Sequence, residues 1–79
     1  MSYYSMEFIL QTSENVSCST VENYLVEWAK DLDITECSQK DCAQGKNFKI
    51  RMQAQDPTII FDACAQFGRI KSVKIDERL

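Results

Sequence analysis

The feature that most restricts how this chain can fold is a strict alternation between residues 48 and 54. Phe48, Ile50, Met52 and Ala54 interleave with Lys49, Arg51 and Gln53. Successive side chains of a strand point to opposite faces, so the segment has one dry face and one wet face. A strand buried on one side only belongs to an antiparallel sheet. Met6, Phe8, Leu10 and Thr12 alternate in the same way with Glu7, Ile9 and Gln11. That repeats the pattern near the start of the chain.

Between these strands the period changes. Ser19-Thr20-Val21-Glu22 has the form of a capping box, in which hydroxyl and carboxylate satisfy the first free backbone N–H groups. Behind it Val21, Tyr24, Leu25, Trp28, Ala29 and Leu32 recur at helical spacing and predict a three-turn helix with these residues on the core. Glu22, Glu27, Lys30 and Asp31 form its wet face, and Trp28 is expected to pack on the sheet. A weaker strand follows over residues 33–40, with Ile34 as its main apolar residue. Ser38 to Asn47, including Gly45, supply the turn. Asp56-Pro57 opens a second helix as N-cap and first helical residue. Ile60, Cys64 and Phe67 make its stripe, and Gly68 is expected as its left-handed terminator. Residues 71–76 form the last strand, with Val73 and Ile75 inward.

The order β-α-β-β-α-β, with right-handed crossovers, places both helices on one face of a four-stranded antiparallel sheet. This is the ferredoxin-like α+β sandwich, with strand order 4-1-3-2 and one sheet face left open. Seventy-nine residues, 44% of them apolar, suit a single domain over 1–79 with one thin core. The start of the chain has no basic segment, and Phe8-Ile9-Leu10 is too short for a signal core or a membrane span. A cytoplasmic protein without membrane contact is therefore expected. In that compartment Cys18, Cys37, Cys42 and Cys64 are expected as free thiols.

The net charge of −3 opposes sequence-independent binding to nucleic acid, which draws on a basic footprint. The charge is unevenly spread: residues 1–39 carry one base against seven acids, residues 40–79 eight bases against five acids. A local basic surface is compatible with that asymmetry.

Four site chemistries are testable against the residues. Asn15-Val16-Ser17-Cys18-Ser19-Thr20-Val21-Glu22 resembles the metal loop of the heavy-metal-associated family, which implies a thiolate site at the entry to the first helix. Here that loop has one thiol, Cys18, where soft-metal capture needs two. A helix N-terminus favours its thiolate form. Cys37 and Cys42, separated by four residues across the hairpin, are candidates for reactive thiols that pair on oxidation. Phe67-Gly68-Arg69-Ile70-Lys71-Ser72-Val73-Lys74-Ile75 is similar to a helix-to-strand junction of RNA-recognition motifs, which implies bases stacked on third-strand aromatics. The only aromatic there, Phe48, is in phase with the core, so no nucleic-acid partner is expected. The fourth is the open sheet face, where Ile9 ringed by Lys49, Arg51 and Lys74 is the candidate contact surface for a second subunit or an acidic partner.

Catalysis finds no support. Histidine is absent, and no nucleophile with a base, phosphate-binding glycine loop or metal-spaced carboxylate pair occurs. No cofactor and no metal are expected. The leading expectation is a non-catalytic regulatory or protein-interaction module that binds a partner or self-associates through its sheet. One alternative is a small-molecule sensor resembling dimeric ACT domains, although residues 12–18 lack the glycine usual after their first strand. A second alternative is thiol-based redox or metal handling.

Overall fold

The structure, a computed structural model, describes residues 3–13, 15–37 and 45–78, without the side chains of Cys37 and Arg78. The elements are β1 (Tyr3–Thr12), α1 (Cys18–Leu25), β2 (Ala29–Cys37), β3 (Lys46–Ala54), α2 (Pro57–Ala65) and β4 (Gly68–Arg78). One open sheet runs β2-β3-β1-β4 with every neighbouring pair antiparallel. This is the expected ferredoxin-like arrangement. No described helix is long and apolar enough to cross a membrane.

The alternating strands form the sheet's centre. Glu7 stands opposite Arg51, Phe8 opposite Ile50 and Leu10 opposite Phe48. Residues that face each other across a ladder share a sheet face, so one side gathers Met6, Phe8, Leu10, Phe48, Ile50, Met52 and Ala54, all buried. Val21 and Leu25 of α1 and Ile60, Ala63 and Cys64 of α2 close over them. Phe8 and Phe61 meet edge to face at 5.7 Å between ring centroids. Each such large side chain contributes about 1.5–3 kcal/mol by leaving water.

The first helix is shorter than its sequence period implies. Ser17 is the N-cap, its Oγ accepting from the Thr20 backbone N–H at 3.2 Å, so the cap lies two residues before Ser19. The helix ends at Leu25, and Val26 to Trp28 form a turn into β2. Ala29 and Leu32 consequently belong to β2, packed against the core. Trp28 is 49% exposed and Tyr24 42% exposed, which corrects their assignment to the core stripe. Tyr24 reaches from α1 to the end of α2, edge to face with Phe67 at 5.3 Å and donating to Gln66 Oε1 at 3.1 Å.

The second helix starts as expected, with Asp56 accepting from the Thr58 N–H at 3.0 Å and Pro57 following. Its end differs. Gly68 does not cap the helix but begins β4 opposite Thr12. A Cβ there would come within 1.8 Å of the Gln11 carbonyl oxygen, so close approach to β1, not a left-handed φ, requires glycine.

Both edge strands contain a bulge. The β2–β3 register shifts between Lys30 and Asp33, and the β1–β4 register shifts between Glu7 and Ile9. Asp31 and Ser72, the residues inserted there, both have φ of 54°. Such bulges twist an edge away from further pairing. Val73 and Ile75 retain 45% and 41% exposure, and Ile75 does so although it faces buried Met6 across the ladder. On this edge strand neither side chain packs against the core, which corrects their placement as core residues.

Candidate functional site: the open sheet face

The registers order the wet side chains into rows across the sheet. Asp33, Arg51, Glu7 and Lys74 form one row, and Thr35, Lys49, Ile9 and Lys71 form the next. Lys30, Gln53, Ser5 and Asp76 flank the first row, and Asn47, Gln11 and Arg69 flank the second. Six described bases thus share this face: Lys30, Lys49, Arg51, Arg69, Lys71 and Lys74. Four acids share it: Glu7, Asp33 and Asp76 in the rows, and Asp31 at the bulge beside Asp33. Among bases with described side chains only Lys46, opposite Thr12, belongs to the other side.

Glu7 is the hub. Its Oε1 lies 3.4 Å from Arg51 Nε and 3.9 Å from Lys49 Nζ, and its Oε2 lies 3.9 Å from Lys74 Nζ. One carboxylate therefore serves three cations, and an excess of positive charge remains around it. The cations are half to three-quarters exposed, so each ion pair contributes at most about 1 kcal/mol and salt weakens it. Ile9, half-buried, lies between Lys49 and Lys71 in the next row. The structure brings together the expected Ile9, Lys49, Arg51 and Lys74.

Sequence reasoning missed Lys71 and Lys30. Lys71 reaches the open face because the Ser72 bulge shifts β4 by one residue between Lys71 and Lys74. Lys30 reaches it because β2 begins at Ala29 and not at Asp33. Its Nζ lies 5.4 Å from the centroid of the Tyr3 ring, which sits at the corner of the same face. The only signal for Lys71 was the excess of bases in the second half of the chain, and Lys30, the single base of residues 1–39, had none. Behind Glu7 and Arg51 a shallow trough of about 430 Å³ opens toward Asp31, Asp33 and Asp76. Its lining carries four acids, Glu7, Asp31, Asp33 and Asp76, against two bases, Arg51 and Lys74, so it is a charged trough and not an apolar pocket.

The thiols are far simpler. Cys18 is the first residue of α1, half-buried against the core. Cys64 is buried beneath α2, and burial pushes its pKa up to about 12, which keeps the thiol neutral and unreactive. Cys37 ends β2 opposite Asn47, while Cys42 lies outside the described residues. Among the described residues no three His, Cys, Asp or Glu side chains group so as to hold a metal ion.

The chain matches no family model, no curated protein and no solved structure.

Proposed function

We propose that this domain is a non-catalytic interaction module whose open sheet face binds an acidic protein surface. The observation that carries the reading is the gathering of Lys49, Arg51, Lys71 and Lys74 around one carboxylate and one isoleucine, in a chain whose net charge is −3. Charged rims steer association and set specificity, and an apolar centre adds desolvation on contact. Ile9 is that centre. Self-association through the same face would set one excess of cations against another, so a partner of opposite sign fits better than a second copy.

An acidic protein also fits better than nucleic acid. Stacking of bases needs exposed aromatic rings, and the open face offers Tyr3 alone at a corner, beneath the Lys30 ammonium. Glu7, Asp33 and Asp76 stand among the bases, where phosphates would meet them. Carboxylates of a folded partner can be spaced to avoid these positions, whereas a phosphate backbone repeats at fixed intervals.

Calorimetric titration with a peptide of alternating Glu and Leu tests the proposal. Saturable binding that weakens with salt is expected, together with its loss in Arg51→Glu/Lys74→Glu protein whose circular dichroism is unchanged. Binding that survives the charge reversal would overturn it. Tighter binding of mixed-sequence single-stranded RNA at about 0.15 M salt, where the screening length is about 8 Å, would move the reading to nucleic acid. Native mass is expected to be that of a monomer.

A further inference from the structure

The helical layer carries a second surface of opposite character. Residues 17–28 and 56–67, which contain both helices and their caps, include Glu22, Glu27, Asp56 and Asp62 but no lysine or arginine. Between the α1–β2 turn and the start of α2 lies a depression of about 420 Å³. Trp28, Ile59 and Tyr3 line it, with two acids, Glu27 and Asp56, and one base, Lys30, beside them. Trp28 is 49% and Ile59 37% exposed, an unusual investment of large apolar surface outside the core of a small domain.

The turn that exposes Trp28 is well held. The Trp28 N–H donates to the Leu25 carbonyl at 2.9 Å and the Val26 N–H to the Glu22 carbonyl at 2.9 Å. The indole is thus presented by a fixed backbone. Aromatic faces attract cations, and tryptophan does so best. The nearby carboxylates add attraction of the same sign. An instance of the chemistry already lies at the rim, where the Lys30 ammonium rests over Tyr3.

From this geometry we infer that the Trp28–Ile59 depression docks a basic, apolar segment of a partner protein, with a lysine or arginine side chain over Trp28 and an aliphatic one against Ile59. Charge complementarity selects this occupant. An acidic segment would meet two carboxylates, Glu27 and Asp56, against one base, Lys30, whose ammonium already rests over Tyr3. A small neutral ligand would leave the Glu27 carboxylate unused, Asp56 already accepting from the Thr58 N–H. The depression meets the open sheet face at Tyr3, Lys30 and Gln53, but Glu27, Trp28, Asp56 and Ile59 belong to it alone, so either site can fail alone.

Trp28 is the only tryptophan in the chain, and its emission reports directly on the depression. The full chain is titrated with a peptide of alternating Lys and Leu, and separately with its Glu and Leu counterpart. A saturable blue shift of Trp28 emission with the basic peptide only is expected. Glu27→Gln/Asp56→Asn should weaken that binding by about tenfold, the effect of losing two exposed ion pairs. Asparagine still caps α2, so the fold is retained. Ile59→Ser should weaken binding as well, with the circular dichroism unchanged. Absence of a saturable shift, an equal response to the acidic peptide, or full affinity in the double variant would each overturn the inference. A blue shift that grows with protein concentration alone would also overturn it, because the occupant would then be a second copy.

Discussion

Six of the seven bases with described side chains stand on the open face of the sheet, whereas the two helices, their caps and the turn after α1 carry four acids and no base. The whole chain has a net charge of −3, which describes neither surface. The difference arises from topology. The first half of the sequence is acidic and supplies α1 with its cap and turn, while β3 and β4 of the basic second half place Lys49, Arg51, Arg69, Lys71 and Lys74 on the wet side of the sheet. An asymmetry along the chain becomes an asymmetry between faces. Net charge therefore speaks to solubility, while recognition depends on how strand phase and register sort the charges.

The contrast between covered and open faces is sharpest in stability. Phe48→Ala removes a fully buried ring from the dry face and should cost about 3–5 kcal/mol. That is a large share of the roughly 5–15 kcal/mol available to a small domain. Ile9→Lys, on the wet face of β1, should remain within about 1 kcal/mol of the parent. Urea unfolding measures both. Comparable losses in the two variants would mean that the open face is itself covered.

Trp28→Ala should fall between them, at about 1–2 kcal/mol, because the half-exposed indole forfeits only part of its transfer energy and leaves no enclosed cavity. A loss as large as that of Phe48→Ala would return Trp28 to the core and remove the depression proposed around it.

The thiols give a smaller effect with a defined sign. The pKa of Cys64 is raised to about 12 from an ordinary 9.0. Between those values the unfolded chain releases its thiol proton first, so this group lowers stability as pH rises from about 9 toward 12 and does nothing below that range. Brief alkylation of native protein at neutral pH should modify Cys18 and spare Cys64, with Cys64 reacting after denaturation. Equal labelling of both would show that α2 does not seal its thiol.

The smallest stability change is expected for Glu7→Gln, within about 1 kcal/mol, since exposed ion pairs contribute little each. Its effect on binding should run opposite to that of the Arg51→Glu/Lys74→Glu charge reversal. Removing the one carboxylate among Lys49, Arg51 and Lys74 should tighten binding of the acidic peptide, and calorimetry at low salt would detect it.

The central strands were legible because β1 and β3 alternate without interruption from Met6 to Thr12 and from Phe48 to Ala54. The edge strands were read only in part, over residues 33–40 and 71–76, and their starts and phase were missed for one physical reason. A bulge inserts a residue, so Ala29, Leu32 and Ile34 reach the core side at spacings of three and two, and Ile70, Val73 and Ile75 are spaced likewise in β4. A spacing of three belongs to a helix. In β2 it continues the period of Val21 and Leu25 across a turn that contains neither glycine nor proline, which extends the predicted helix through Trp28 to Leu32. The same phase shift concealed Lys71. Of the site, the four residues read as Ile9, Lys49, Arg51 and Lys74 follow from strand phase alone. The exposed Trp28 and the acidic depression needed the true end of α1.

The most direct test of the proposed contact face is a map of backbone amide shifts as the glutamate–leucine peptide is titrated into isotope-labelled protein at physiological salt. Saturable shifts should concentrate on Glu7, Ile9, Lys49, Arg51, Lys71 and Lys74 and leave both helices unchanged. Shifts centred on α1 and α2, or none at saturating peptide, would contradict the assignment of the open sheet face as the surface by which this domain binds.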